Sequence, residues 1–172
     1  MGRILAIVII VAALATGAAV YYLQVYAFYE EIAASGPGDV VLTPITGGAP
    51  VAIPVRGFRA IDSDSSPIRY RACFTSDLSA EALKAYAPYP GAEPRNAPGW
   101  FDCFDADAIG AALADGQAQA FLAIENIHYG IDRVIAILPD GRGYAWHEIN
   151  SCGEVVFDGQ PAPEGCPPAP AN

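Results

Sequence analysis

The feature that most constrains this chain is the apolar run Ile4–Leu23, which has 20 residues and no charged side chain. With a helical rise of about 1.5 Å per residue the run would span about 30 Å, the hydrocarbon thickness of a bilayer. A secretory signal has a shorter apolar region of about 7–15 residues, although the alanines between positions 13 and 19 could form a cleavage site. The sequence therefore favours a retained transmembrane anchor over a cleaved signal.

Aromatic side chains follow this run at the level where a helix would leave the membrane. Aromatic belts are typical of membrane–water interfaces. The predicted membrane-interface residues are Tyr21, Tyr22, Tyr26 and Tyr29. The helical pattern continues without a breaker to Ala34, where Ser35-Gly36-Pro37-Gly38 stops it. Residues 1–34 are therefore predicted to form an anchor helix with a juxtamembrane extension.

The charge distribution predicts which side of the membrane the rest of the chain occupies. Arg3 precedes the apolar run and Glu30 and Glu31 follow it, so the positive-inside tendency makes the N-terminus cytoplasmic. In a bacterial inner membrane the C-terminal part would then be periplasmic, with the lipid bilayer as one partner. The 19 acidic against 9 basic side chains would repel nucleic acid, which is excluded as a partner.

Four cysteines, all after the apolar run, agree with an oxidising compartment. An even count in an exported domain predicts two disulfides, for which three pairings exist. The stretch "CGEVVFDGQPAPEGC" contains two glycine-bearing turns, which favours Cys152–Cys166 and leaves Cys73–Cys103. No C-x-x-C spacing is present, so a thioredoxin-like redox site or a zinc ribbon is not supported.

The remaining chain is predicted to be an α+β domain with an antiparallel sheet and two short helices. Residues 35–54 read as a linker and edge strand, 55–166 as the periplasmic domain, and 167–172 as a Pro-rich tail. Strands are predicted at 56–62 and 68–74 around a turn, and a three-stranded meander at 118–127, 132–138 and 143–149. Ser79 and Asp105 are the expected N-caps of the two helices.

The Pro-rich loop at 88–104 is a candidate partner-binding element, because long loops without secondary structure often bind ligands or proteins. Trp100, Phe101 and Phe104 lie there beside Cys103 and are the aromatic partner-binding candidates. Aromatic residues around a disulfide are also ordinary core filling. Both interpretations stay open at the level of sequence.

Four arginines within sixteen residues are the second group of partner-binding candidates: Arg56, Arg59, Arg69 and Arg71. On paired strands they could form a basic stripe that grips an acidic partner or a carboxylate ligand. The alternative is local pairing with Asp62, Asp64 and other acids.

No catalytic residue, metal site or cofactor is predicted. His128 and His147 could serve as ligands or acid–base groups, but satisfied histidines at strand ends are the favoured interpretation. His147 and Glu148 are strand neighbours and point to opposite faces, so they do not form a dyad. The aspartates of "IDSDSSP" and "DCFDADAIG" do not match a calcium-binding EF-hand loop.

Four stretches carry a resemblance to a known family: "YYLQVYAFYEE", "IDSDSSPIRYRACF", "NAPGWFDCFDADAIGAAL" and "NIHYGIDRVIAILPDGRGYAWHEIN". Through them the chain resembles, over nearly its full length, a family of short, uncharacterised single-pass bacterial membrane proteins built on a domain of unknown function. Some members are labelled histidine kinases, a label this sequence does not support because it has no ATP-binding glycine box. The resemblance implies membership and no catalytic residues.

The favoured functional prediction is a non-catalytic accessory or assembly subunit of a larger inner-membrane complex, respiratory or photosynthetic. Gly17 within an alanine-rich span would permit close contact with other membrane helices. The alternative is a membrane-tethered periplasmic module that binds a ligand or a peptide.

Overall fold

The N-terminal helix α1 covers Gly2–Val25 and has no buried side chain. The structure is a computed structural model that describes residues 2–26 and 28–169. Within it, α1 is long and apolar enough to cross a membrane, with a mean hydropathy of 2.6.

The predicted helical extension to Ala34 is wrong, because α1 ends at Val25. The chain turns and forms strand β1 (Glu30–Ile32), which pairs antiparallel with β4 (Val55–Asp62). The β4 edge supplies backbone partners that an isolated helix would not have, so tertiary pairing overrides the local helical pattern.

The body of the molecule is a six-stranded antiparallel sheet in the order β1-β4-β5-β8-β7-β6. The remaining strands of this sheet are β5 (Arg71–Ser76), β6 (Gln119–His128), β7 (Ile131–Ile137) and β8 (Arg142–Ile149). The hairpin of β4 and β5 and the β6-β7-β8 meander confirm the predicted strands. The α+β class with an N-terminal apolar helix is likewise confirmed.

One face of the sheet, called the first face here, carries Tyr70, Ala72 and Phe74, as the period-2 alternation predicted. A two-stranded ribbon of β2 (Val41–Leu42) and β3 (Val51–Ala52) packs against this face, together with the short helix α2 (Ala80–Leu83). The ribbon segment contributes fully buried core side chains: Val40, Leu42 and Ile53. Residues 35–54 thus have a part in the core that the linker assignment did not include.

The second face is covered by helix α3 (Ala106–Ala114) and by the Pro-rich loop. Ile109 of α3 packs here against a core that includes Val134 and the fully buried Trp146. The Asp105 side chain accepts a hydrogen bond from the Ala108 N–H at 3.0 Å, and Ser79 caps α2 in the same way, so both predicted N-caps are confirmed.

Strand β6 lies at the edge of the sheet opposite β1, and other segments cover its outer backbone. Leu122 donates to the Ala87 carbonyl at 2.9 Å and accepts from the Thr43 N–H at 2.9 Å. Tyr89 N–H donates to the Ala120 carbonyl at 2.9 Å. These bonds satisfy groups that an uncovered edge strand would offer to another chain.

A third short helix, α4 (Ser151–Phe157), follows β8 and was not predicted. The sequence predicts only turns there, whereas in the structure Asn150 caps a helix by accepting hydrogen bonds from the N–H groups of Cys152 and Gly153. Residues 170–172 of the predicted Pro-rich tail lie outside the described residues.

Two disulfides fasten this body, Cys73–Cys103 and Cys152–Cys166, which is the pairing expected from the sequence. The first ties β5 to the Pro-rich loop, and the second ties α4 to the C-terminal segment. Disulfides persist in oxidising compartments, so they indicate an extracytoplasmic domain.

Candidate functional site

Two polar clusters lie back to back on the β7–β8 pair. The register sets Arg133 opposite His147 and, one residue along, Asp132 opposite Glu148. Because neighbours on a strand point to opposite faces, the first pair lies on the first face and the second pair on the second face. The basic cluster comprises Arg133, His147, Tyr70 and His128, and the acidic cluster comprises Asp132, Glu148 and Tyr89.

His147 is the most buried member of the basic cluster, with 1% of its surface exposed. The Nε–H of Arg133 lies 3.0 Å from Nε2 of His147 and can only donate, so Nε2 is the acceptor. The proton therefore sits on Nδ1, which donates to the Pro67 carbonyl at 2.6 Å. Burial, helped by the positive charge of Arg133, lowers the pKa of His147 to about 4.

His147 is consequently neutral at physiological pH, with both ring nitrogens engaged. A histidine held in this way cannot also serve as a general base without losing a bond to the protein. Its ring stacks on Tyr70 at a centroid distance of 4.8 Å, which places it as part of the core. The prediction of satisfied strand histidines describes His147, whereas His128 is exposed, with its ring 6.0 Å from that of His147.

Arg133 is half-buried, and the two side chains described in contact with its guanidinium, Tyr70 and His147, are neutral. Its guanidinium carbon lies 3.9 Å from the centre of the Tyr70 ring, within the range of a cation–π contact. Burial lowers the pKa of Arg133, an effect opposed by the phenol of Tyr70 and the carboxylate of Asp62. No carboxylate of the described residues lies within 4.0 Å of this guanidinium.

Asp132 of the acidic cluster is 5% exposed and is held by neutral donors. Its Oδ1 accepts hydrogen bonds from the Asn126 N–H and the Asn150 side-chain amide, each at 2.8 Å. Its Oδ2 accepts from the Tyr89 hydroxyl at 3.3 Å. Backbone and amide donors thus take the place of a cation.

Glu148 is 8% exposed and shows the same arrangement. Its Oε2 accepts from the Trp146 indole N–H at 2.9 Å, and its two oxygens lie 3.2 and 3.0 Å from the Glu93 N–H. Burial raises the pKa of Glu148, and these hydrogen bonds oppose that rise. Burial and the neighbouring carboxylates raise the pKa of the Tyr89 phenol, which therefore remains a hydrogen-bond donor.

Trp100, predicted to bind a partner, contacts the end of α1. Its indole N–H donates to the Val25 carbonyl at 2.8 Å, which satisfies a carbonyl at the C-terminus of the helix. The Trp100 ring stacks on Tyr26 at 6.2 Å and meets Tyr29 edge-on at 6.2 Å. Tyr21 and Tyr22 contact Tyr26 in turn, so the four tyrosines and Trp100 form a continuous aromatic collar around the helix end.

Phe101 and Phe104 are core residues, with 3% and 6% of their surfaces exposed. Phe104 packs edge-on against Tyr144 and Trp146 beside the Cys73–Cys103 bridge. The core-filling interpretation describes both phenylalanines, and neither offers a surface to a partner in this conformation.

The four candidate arginines do not share one concave site in the described part of the chain. Arg56 and Arg59 form exposed ion pairs with Asp77 at 2.6 Å and Asp102 at 3.0 Å. The alternative of local pairing with acidic residues therefore describes Arg56 and Arg59. Their partners, however, are not Asp62 and Asp64, which the sequence suggested. Exposed pairs of this kind contribute little to stability.

Arg69 and Arg71 have structural surroundings instead. The Arg69 guanidinium lies 5.5 Å from the centre of the Tyr29 ring, at the edge of the aromatic collar. Arg71 is 4% exposed and binds the Pro-rich loop by donating to the carbonyls of Arg95 at 2.7 Å and Asn96 at 3.1 Å. The role of Arg71 is thus to hold the Pro-rich loop in place, and its donors are used within the protein.

An open apolar groove of about 800 Å³ runs beside β6, between α3 and the start of the Pro-rich loop. The residues around it include Leu113, Ala114, Ala118, Tyr86 and Tyr89, with Lys84 and Glu93 as its charged members. A concave and largely apolar surface with few polar groups is the usual form of a binding site. The groove could not be predicted from the sequence, because its walls come from three separate segments.

Arg133, Asp132 and Glu148 were not among the residues predicted from the sequence. The period-2 pattern of "DRVIAIL" and "GYAWHEI" was a usable signal, because it places a charged or polar residue on each face of both strands. What the pattern lacked was the register, which sets Arg133 against His147 and Asp132 against Glu148.

Comparison with known proteins gives a family and no activity. A family described as "Family of unknown function (DUF6446)" matches residues 40–167, which is more than half of the chain. The chain belongs to this family. The DUF6446 match includes both clusters, the groove and both disulfides, and it starts after β1. No curated protein and no solved structure matches the chain.

Proposed function

We propose that this DUF6446 protein is a membrane-anchored, non-catalytic accessory or assembly subunit of a larger inner-membrane complex, such as a respiratory or photosynthetic one. In this proposal α1 remains in the mature protein and crosses the bilayer. The disulfide-bonded domain then lies on the periplasmic side and contacts other inner-membrane proteins.

The observation that carries this proposal is the contact of Trp100 with the end of α1. The indole N–H to Val25 carbonyl bond joins residues 75 positions apart, and the collar tyrosines pack around it. A signal that is cut off would leave this side chain without its partner. If the anchor is retained, the contact between Trp100 and Val25 fixes the domain close to the membrane surface.

The orientation rests on charge and on redox chemistry. Arg3 precedes α1, whereas Glu30 and Glu31 follow it, which favours a cytoplasmic N-terminus. The two disulfides fit a periplasmic domain. The aromatic collar would then lie at the outer membrane–water interface, where tyrosine and tryptophan are enriched.

The apolar groove is the surface that a protein partner would use in this proposal. It lies beside β6, at the edge of the sheet farthest from β1, and so faces away from the strand that leads out of α1. The buried clusters support a non-catalytic role, because Asp132, Glu148 and His147 have their polar atoms bonded within the protein.

The test is purification of the tagged full-length chain in mild detergent, with mass spectrometry of its N-terminus. We expect an intact α1 and co-migration with a large complex at a fixed stoichiometry. A solitary monomer in several gentle detergents, or a new terminus near Ala19, would contradict the proposal.

Two variants of α3 test the role of the groove in the same experiment. Ala114→Arg places a long charged side chain on the groove wall, whereas Ala111→Arg places it on an exposed part of the same helix outside the groove. We expect Ala114→Arg to lose the complex and Ala111→Arg to retain it. Equal behaviour of the two variants would remove the groove from the proposal.

The volume of the groove also favours a second candidate function, a tethered module that binds a ligand or a peptide. About 800 Å³ is within the range of small-molecule sites, roughly 300–1,000 Å³. In this case the purified chain would be monomeric, and an apolar ligand would raise its unfolding temperature in the parent protein and in Ala111→Arg, with no effect on Ala114→Arg.

A further inference from the structure

Arg133 differs from the arginines that form ion pairs in the described residues. Those pairs join exposed side chains, as in Arg56–Asp77 and Arg142–Asp140. Arg133 is half-buried, and no described carboxylate lies within 4.0 Å of it. A partly desolvated cation without a counter-charge is costly unless another group supplies one.

The guanidinium of Arg133 is held in a fixed orientation by two neutral neighbours. The Tyr70 ring lies against its face at 3.9 Å, and Nε2 of His147 accepts its Nε–H at 3.0 Å. His147 is itself fixed by its bond to the Pro67 carbonyl. Two direct contacts, one of them fixed in turn by the Pro67 carbonyl, therefore set the plane of the guanidinium before any ligand arrives.

The outer edge of this guanidinium is available. Neither Nη atom of Arg133 has a hydrogen-bond partner among the described residues, and no buried side-chain nitrogen there lacks one, so the Nη groups reach solvent. Two Nη groups side by side match a pair of oxygens on a carboxylate or a phosphate. The exposed His128 lies on the same face and can add a further donor.

Asp62 is the internal competitor for such a ligand. Its charge acts on both Arg133 and His128, but it forms no ion pair with Arg133. Its Oδ1 accepts the Ser63 N–H at 2.8 Å instead. Asp62 therefore weakens the local positive charge without occupying the outer edge of the guanidinium.

We propose that Arg133 binds an oxyanion, either a carboxylate or a phosphate group, on its outer guanidinium edge. His147 and Tyr70 act as positioning residues, and His128 flanks the ligand. The oxyanion comes either from a soluble molecule or from a lipid headgroup, since β1 brings the chain from α1 to the same end of the sheet as Asp62.

The experiment uses the full-length chain in nanodiscs of zwitterionic lipid and follows the arginine side-chain N–H signals by nuclear magnetic resonance. The probes are acetate and inorganic phosphate at constant ionic strength. We expect a saturable shift of the Arg133 signal in the millimolar range. In Arg133→Lys, where binding is followed through the ring signals of His128 and His147, affinity should fall by about tenfold, because lysine cannot offer a bidentate edge.

Asp62→Asn keeps the proposal testable even if Arg133→Lys fails to fold. Removing the competing carboxylate should tighten binding severalfold, whereas Asp64→Asn, an exposed change of equal charge, should have a smaller effect. Equal effects of the two substitutions would reduce the result to general electrostatics and overturn the proposal.

The source of the oxyanion is decided by repeating the measurement without probe in nanodiscs that contain anionic lipid. A shift of Arg133 there, and none with soluble probes, assigns the ligand to a headgroup. A shift with soluble probes assigns it to a free oxyanion. No saturable shift in either arm, or an equal shift of the exposed Arg142, overturns the proposal.

Discussion

The two sides of the β7–β8 pair hold opposite charges by the same means. On the first face Arg133 lies between Tyr70 and His147, and on the second face Asp132 and Glu148 accept hydrogen bonds from backbone, amide, indole and phenol groups. Neither side uses an ion pair among the described residues. One cluster is cationic and the other anionic, yet only the thickness of the sheet separates them.

The difference between the two sides lies in access. Asp132 and Glu148 are 5% and 8% exposed, and hydrogen bonds within the protein satisfy both carboxylates. The Nη groups of Arg133 reach solvent without a described partner. The acidic cluster is therefore a structural element that closes the second face, and the basic cluster is the side on which a ligand can bind.

The largest expected effect is the pH dependence contributed by His147. Its pKa is about 4 in the folded protein against about 6.5 unfolded, so its contribution to stability is complete above pH 6.5 and is lost as the pH falls towards 4. The difference corresponds to about 3 kcal/mol. Unfolding measured by circular dichroism between pH 4 and 7 should show this slope, and His147→Gln should flatten it.

The matched control is His128→Gln, which replaces the exposed histidine of the same cluster. It should keep the parent slope. A parent protein whose stability does not change over this pH range, or a slope that survives in His147→Gln, would show that His147 is not the buried neutral group described here.

The second effect is on the acidic side, through Asn150→Ala. The substitution removes one donor to the buried Asp132 carboxylate and the N-cap of α4. We expect a loss of about 2 kcal/mol in the free energy of unfolding. Asn96→Ala is the control, since its described hydrogen bond uses the backbone carbonyl, and it should stay within about 0.5 kcal/mol of the parent.

A smaller effect is expected for Trp100→Phe on the second face. Phenylalanine can still stack on Tyr26 but cannot donate to the Val25 carbonyl, so we expect a loss of about 1 kcal/mol. Hydrogen exchange of residues 28–32 should become faster, because the domain is held less firmly at the helix end. Tyr22→Phe, which keeps the ring of an exposed collar residue, should leave the exchange unchanged.

The smallest expected effect is that of Glu148→Gln on the pH dependence of stability. Its sign distinguishes the acidic cluster from the basic cluster. Since burial raises the pKa of Glu148, the folded protein holds its proton more strongly than the unfolded chain. Stability from this group is therefore lost as the pH rises above 4.5, opposite to the slope of His147. Removing the charge should abolish this component, and a steeper loss at high pH in the variant would contradict it.

Much of the fold could be predicted from local patterns. The alternation in "IRYRACF" placed Tyr70 on one face and Cys73 on the other, and Ser79 and Asp105 were recognised as N-caps. The helical pattern after Val25 led to a wrong prediction, because residues 30–32 pair with the backbone of β4. A prediction from local sequence does not include such a distant partner.

The candidate sites were less predictable, because each depends on contacts between distant segments. The sequence predicts Trp100 as a partner-binding residue, but the group that it binds in the structure, the Val25 carbonyl, lies 75 residues away. The groove needs α3, β6 and the Pro-rich loop together. Of the four arginines predicted to form a basic stripe, two form exposed ion pairs and Arg71 holds the Pro-rich loop, which only the packing decides.

The sequence by itself determined the apolar helix, the acidic character, the strand pattern and the even number of cysteines after the helix, because these follow from composition and from periodicities of a few residues. Tertiary structure alone decided that Arg133 faces His147 while Asp132 faces Glu148. The physical reason is register: shifting one strand by a single residue exchanges its faces, and nothing in either strand alone states how it is aligned with the other.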